Sequence, residues 1–350
     1  MLSLTSCKLA DDPKDRLAPS DYLPDKWLNG INMPWIDFGK DFGVDSDSDK
    51  AIADALRKFS EAGVNSVRFW IHCDGRRNPE FDQPGGRVTG LPEGFLEDFE
   101  TMLDVAEESG ILVMPALWSF DMVKNRVHEE GPYAGVQEKL LLEDEYLETY
   151  IENALIPMLE RCDAHPALFA WEICNEPEWM VEADDLTRIP LDRVQYFHAR
   201  LAAAIHEHGS KPVTTGSSSI KWNSDVIEKA AGNWWSDAAL QATYDHPGAY
   251  FDFYQIHVYG WMLEHGFDPY LYTPEDLGLD KPVMLGEAPG KLMEGTDTSG
   301  APKQYTPKEM LEAAHEKGYF GHYFWSYAAH DGHGNWETIK KAVAEAELSD

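Results

Sequence analysis

Residues 49–71 read DKAIADALRKFSEAGVNSVRFWI. Ile52, Leu56 and Phe59 recur at helical spacing, and Glu61-Ala62-Gly63 ends that periodicity at a glycine, where a chain can turn left-handed at little cost. The run that follows, Val64–Ile71, is short, apolar and β-rich, and its far end carries Arg68, Trp70 and then His72. One helix, one tight turn and one strand that ends in polar and aromatic groups make up the unit. It repeats. Strand candidates are Leu28–Met33, Val64–Ile71, Ile111–Leu117, Leu168–Cys174, Pro212–Thr215, Phe253–His257, Pro282–Leu285 and Tyr319–Trp325. Helical spacing returns in Phe95, Phe99, Met102, Leu103 and Ala106, in Leu147, Ile151, Ala154, Leu155 and Met158, and in Val194, Phe197, Leu201, Ala204 and Ile205. Glu108-Ser109-Gly110 and His208-Gly209 punctuate two of these helices.

Eight strands, each followed by a helical segment, predict an α/β chain closed into a single (β/α)8 (TIM) barrel. The competing open, doubly wound sheet lacks support, because no Gly-rich phosphate loop follows the first strand. A length of 350 residues suits one such barrel with enlarged loops. Residues 25–350 contain no linker or composition break and read as one domain. Residues 1–24 form a polar N-terminal segment in which Leu4-Thr5-Ser6-Cys7 has the form of a bacterial lipoprotein cleavage box. The apolar stretch before it is short for a signal and has no basic residues ahead of it. A truncated signal would place the protein outside the cell or on a bacterial envelope, lipidated at Cys7; a chance match would leave the cytoplasm open. Cys73, Cys162 and Cys174 have neither metal-finger nor redox spacing.

Asp and Glu number 62 against 29 Lys and Arg, a formal charge of −33. That field repels phosphate backbones, which argues against a nucleic-acid partner. It also disfavours a strongly anionic polymer, unless Arg76, Arg77 and Arg87 form a local basic patch; solubility or life in salty water is its simplest account. No apolar run approaches the roughly 18 residues of a membrane span. A monomer is expected.

Active sites on this barrel form at the carboxyl ends of the strands. Read in order, those ends offer Trp35 and Asp37; Arg68, Trp70 and His72; Trp118 and Ser119; Asn175 and Glu176; Ser217; His257 and Tyr259; Glu287; and Trp325. Two carboxylates stand out, Glu176 in Trp171-Glu172-Ile173-Cys174-Asn175-Glu176-Pro177 and Glu287 in Lys281-Pro282-Val283-Met284-Leu285-Gly286-Glu287. Strands four and seven face each other across a barrel mouth, so two such groups can meet there. Cleaving a glycosidic bond with retention needs a carboxylic acid to protonate the leaving oxygen and a carboxylate to attack the anomeric carbon, roughly 5–5.5 Å apart. The chain holds 12 Trp. Sugar C–H faces stack on indole, which makes Trp35, Trp70, Trp118, Trp179, Trp222 and Trp261 candidate subsites, with core packing the alternative for each. Glu178 is the nearest competitor to Glu176. His330, Asp331 and His333 read as a solvated loop, and neither a metal nor a cofactor is expected.

This pattern resembles the clan-A glycoside hydrolases, and within them family 5, the cellulases and β-mannanases. Asn175-Glu176-Pro177 is similar to that family's acid/base motif. Arg68 after strand two, His257-Val258-Tyr259 after strand six, Glu287 after strand seven and Trp325 after strand eight follow its order. Val67-Arg68-Phe69-Trp70, Trp171-Glu172 and Val213-Thr214-Thr215-Gly216 look more like the mannanase branch. A departure lies at Leu117-Trp118-Ser119, where many members carry a histidine. The resemblance implies Glu176 as acid/base, Glu287 as nucleophile, Asn175 donating to a sugar 2-hydroxyl, and Trp325 as the platform for the sugar being cleaved. Charge and hydrogen-bond chemistry then give Arg68 and Tyr259 the role of holding Glu287 ionised and His257 that of ordering the shell of Glu176, and strand alternation makes Glu172 a buried partner of Arg68. The expected activity is a retaining β-glycosidase on a neutral β-linked polysaccharide or oligosaccharide, β-1,4-mannan ahead of β-1,4-glucan. A non-catalytic carbohydrate-binding barrel and a transglycosylase are the alternatives.

Overall fold

The structure is a computed structural model and describes residues 18–43, 46–82, 85–124, 133, 136–327 and 329–348. The lipoprotein-like box at Cys7 lies outside these described residues. Eight strands follow the sequence pattern: β1 (Leu28–Asn32), β2 (Ser66–Trp70), β3 (Leu112–Ser119), β4 (Trp171–Asn175), β5 (Val213–Ser217), β6 (Tyr254–His257), β7 (Val283–Pro289) and β8 (Gly321–Trp325). Each pairs in parallel with its neighbours in chain order, and β1 pairs with β8 to close the barrel. Closure leaves this sheet no open edge.

The helices form the outer ring. They include α1 (Asp49–Glu61), α2 (Phe95–Glu108), α3 (Asp144–Tyr150) running through a π-helical turn into α4 (Ile156–Cys162), α5 (Leu191–His208), α6 (Asp237–Thr243), α7 (Pro307–Glu316) and α8 (Trp336–Glu345). Ile52, Leu56 and Phe59 on α1 are buried in one core with Ile31, Val67 and Phe69 of β1 and β2. Each such side chain contributes about 1.5–3 kcal/mol by leaving water. The glycines that the sequence reads as stops behave differently from one another. Gly63 (φ 84°) and Gly110 (φ 67°) turn left-handed after α1 and α2, whereas Gly209 after α5 is extended. A separate apolar cluster, with Leu28, Met114, Phe169, Phe253, Met284 and Tyr323, gathers near the amino ends of the strands. Gly30 is required there, since a Cβ would lie 2.3 Å from the Tyr323 ring.

Irregularities in the ladder decide which side chains reach the mouth. On a regular strand Glu172 and Asn175, three residues apart, point to opposite faces. The β4–β5 register shifts between them, and both reach the same guanidinium. Strand β7 runs on to Pro289, beyond the predicted end at Leu285, with a shift against β8 between Leu285 and Ala288. Glu287 therefore lies within the strand rather than after it, held where a bulge re-aims it. Strand β3 likewise extends two residues further than predicted, to Ser119.

Candidate active site

Arg68, fully buried on β2, organises the floor of the site. Its Nε and Nη2 donate to the two oxygens of Glu172, each at 2.5 Å, and Nη2 also donates to Asn175 Oδ1 at 2.8 Å. Nη1 donates to Glu287 Oε1 at 2.6 Å and to Asn32 Oδ1 at 2.9 Å. All five N–H donors of the guanidinium are engaged. Burial opposes its charge, but Glu172 and then Glu287 outweigh that and push its pKa up, so it stays a cation. Because Asn175 turns its oxygen to Arg68, its amide nitrogen is left to donate into the cavity that the residue lines. Gly216 makes room for this cluster: a Cβ would lie 2.5 Å from Glu172 Oε1 and 3.0 Å from both Arg68 Nη2 and His257 Nε2.

Glu176 and Glu287 meet above this floor. One oxygen of each and a His257 ring nitrogen all lie within 4.8 Å of one another. His257 Nδ1 stands 3.0 Å from Glu176 Oε1 and 3.5 Å from Glu287 Oε2. Burial pulls the His257 pKa down to about 4, so the ring is neutral and can donate to an ionised Glu176 or accept from a protonated one. Trp179 Nε1 donates to Glu176 Oε2 at 2.8 Å, and the Tyr259 hydroxyl donates to Glu287 Oε2 at 2.8 Å. Glu176 also sits in the left-handed backbone region at φ 46°, a conformation that costs a non-glycine residue of order 1 kcal/mol. Glu176, His257 and Glu287 have metal-ligand spacing too, but the Arg68 guanidinium already supplies positive charge 2.6 Å from Glu287.

Burial raises the Glu176 pKa to about 7, against the lowering effects of the Trp179 hydrogen bond and Arg68. Glu287 departs from the expectation that its partners keep it low. Burial lifts it above the ordinary carboxylate value despite the opposing pull of the Arg68 cation and the Tyr259 hydrogen bond.

Both glutamates open into a cavity of about 440 Å³. Trp35, Trp70 and Trp325 form one aromatic group along it, with ring centroids 5.2–6.1 Å apart. Trp179 and the half-exposed Trp261 form a second, 6.0 Å apart. Two of the tryptophans expected at subsites are elsewhere. Trp118 is fully buried in the core against His72 and Tyr150, and Trp222 is buried with its Nε1 bonded to Glu182. Neither offers a face to a sugar. His72 is buried too, bonded to Asn78 and Tyr150, its pKa lowered by burial to about 4. Glu178, the rival to Glu176, is fully buried among Ser217, Ser218 and Trp235.

The cavity also receives residues that the sequence reading did not propose for substrate contact. Phe120, Asp121 and Lys124 follow β3, and Asp121 is bonded to Ser119 and paired with Lys124. Had the third strand been read two residues longer, this loop would have started at the mouth. Asp331 and His333 line the cavity after β8, and Asp331 accepts a 2.5 Å hydrogen bond from Trp325 Nε1, fixing that indole.

A closed barrel with two carboxyls of unequal environment at its mouth, faced by indoles, is the arrangement of a glycoside hydrolase, and similarity to known mannanases supports a clan-A, family 5-like one. Known proteins agree with this. No family model matches the chain. It is 28% identical over 324 residues to the mannan endo-1,4-β-mannosidase of Mytilus edulis, covering 86% of this chain and 83% of that one. It is 27% identical to the enzyme of the same name from Cryptopygus antarcticus, over 75% of this chain and 72% of that one. The crystal structure of endo-1,4-β-mannanase from Eisenia fetida superposes with a TM-score of 0.77 at 26% identity, covering 92% of this chain and 93% of the other.

Proposed function

We propose that this chain is an endo-acting, retaining β-1,4-mannanase in which Glu287 is the nucleophile and Glu176 the acid/base. The observation that carries the reading is the approach of their carboxyl oxygens to within 4.8 Å, near the separation for retention and short of the roughly 6.5–9.5 Å an inverting pair needs for its water. Glu287 attacks the anomeric carbon while the bond to the leaving oxygen breaks, and Glu176 gives its proton to that oxygen. A water then attacks the glycosyl–Glu287 ester, Glu176 takes the water's proton, and Glu287 leaves as a carboxylate. Asn175 donates to the 2-hydroxyl, a bond that tightens as the ring gains oxocarbenium character. The assignment to mannan draws on the names of the relatives. The assignment to internal attack draws on indoles in two groups along an open cavity, which suits a chain passing through. A polymer of this kind does not cross membranes, which favours action outside the cell or at its envelope. No helix among the described residues is long and apolar enough to span a bilayer.

The test is digestion of mannan, glucan, xylan and galactan with product lengths and anomeric configuration followed in time. Mannan should yield mixed oligosaccharides of retained configuration, with viscosity falling before reducing ends accumulate. Preference for another polymer, release of single sugars from a chain end, or inverted products would refute the reading.

A further inference from the structure

We propose that Glu178 is a positioning residue for Glu176, clamping the Asn175–Trp179 turn onto the end of β5 so that the acid/base is held in its strained backbone conformation. The proposal rests on the assignment of Glu176 made above.

Glu178 is a fully buried carboxylate outside the cavity, and four donors converge on it. One oxygen accepts from Ser217 Oγ and from Trp235 Nε1, the latter at 2.6 Å. The other accepts from the backbone N–H and the hydroxyl of Ser218, each at 3.1 Å. The residue before this anchor, Gly216, receives the Glu176 N–H on its carbonyl at 2.6 Å. Residues 176 and 178 are thus fastened to consecutive residues 216, 217 and 218, one through its backbone and the other through its side chain. Between them stands Pro177, which has no N–H to contribute.

Glu178 also starts the short helix Trp179–Glu182, and its own carbonyl accepts from the N–H groups of Val181 and Glu182. That helix carries Trp179, whose indole N–H donates to Glu176 Oε2. The one anchor therefore governs both the backbone of Glu176 and the donor that orients its carboxyl. A buried carboxylate is costly unless fully hydrogen-bonded, and an apolar residue would pack this spot more cheaply. The rigidity it gives is needed at Glu176, because the left-handed φ persists only where surrounding contacts over-determine it.

The test is Glu178→Gln, which keeps shape and volume, assayed for kcat/KM on mannan and on a 2,4-dinitrophenyl β-mannobioside. Misplacing an acid by a fraction of an ångström to one ångström should lower kcat/KM on mannan about tenfold to hundredfold. The activated aryl substrate, which needs little protonation, should lose less than about threefold, and azide should speed its turnover. Equal losses on both substrates, or no loss on either, would overturn the proposal. If Glu178→Gln does not fold, Ser217→Ala and Trp235→Phe each remove one donor from Glu178 and should show the same inequality at smaller size; its absence in both would count equally against the proposal. Glu176→Ala, run in parallel, separates the two levels. If Glu176→Ala itself fails to discriminate the substrates, the acid/base assignment falls. If it discriminates and the Glu178 variant does not, only the positioning role falls.

Discussion

Glu287 and Glu176 are the same side chain in the same cavity, yet their neighbourhoods differ in kind. Glu287 touches a cation, Arg68 at 2.6 Å, and a phenol, Tyr259 at 2.8 Å. Among the described residues, Glu176 hydrogen-bonds only neutral groups, the Trp179 indole at 2.8 Å and the uncharged His257 ring at 3.0 Å. Burial raises both, but among the described residues only Glu287 has a cation within hydrogen-bonding distance to oppose it. The difference teaches how one residue type can serve the two roles proposed for this pair: a contacting cation favours an ionised form able to attack, and neutral donors leave a proton in place near pH 7.

The contrast can be broken from either end. The largest effect is expected from Glu287→Ala, which should reduce turnover by about 10⁴-fold or more on natural and activated substrates alike, since nothing replaces the attacking group. Next comes Arg68→Met. It leaves Glu172 and Glu287 buried without their cation, and chemical denaturation should show a loss of about 3–5 kcal/mol. A loss below about 1 kcal/mol would mean that the cation does not hold these carboxylates. The smallest effect sharpens the Glu176 side. The acid must be protonated to act, so kcat/KM should fall as pH rises through about 7. Trp179 lowers that pKa through its hydrogen bond, so Trp179→Phe should move the alkaline limb to higher pH by less than one unit, leaving the acid limb, which reports Glu287, in place. A shift toward lower pH would show that water entry, not the lost hydrogen bond, controls Glu176.

Much of the barrel was legible because its signal is local. Each strand is an apolar run bounded by turn residues, and all eight were placed within a few residues of their observed ends, as with Val64–Ile71 against Ser66–Trp70. The glutamates could be picked out because barrel topology puts functional groups at one end of the strands, and position along the chain reports that end. Tryptophan faces could not be read this way. Trp118 and Trp70 both follow or end apolar strands, yet one is sealed against Tyr150 and the other lines the cavity. Which of the two a tryptophan becomes depends on the groups that neighbouring elements bring against it, here His72 and Tyr150 on Trp118, and counting along the strand cannot foresee that. The loop residues Asp121 and Lys124 were missed because strand β3 runs further than its hydrophobicity indicates, into Trp118-Ser119.

The sequence alone determined the alternation of strands and helices, the order of the polar strand ends, and the identity of two candidate carboxylates, since these depend on spacing along the chain. Only the tertiary structure decided that Glu172, Asn175 and Glu287 share one guanidinium, that Glu178 is buried among Ser217, Ser218 and Trp235, and that burial lifts both mouth glutamates. Hydrogen-bond partners and desolvation arise between residues from 39 positions apart, as in Glu178 and Ser217, to 219, as in Arg68 and Glu287, and no local pattern encodes them.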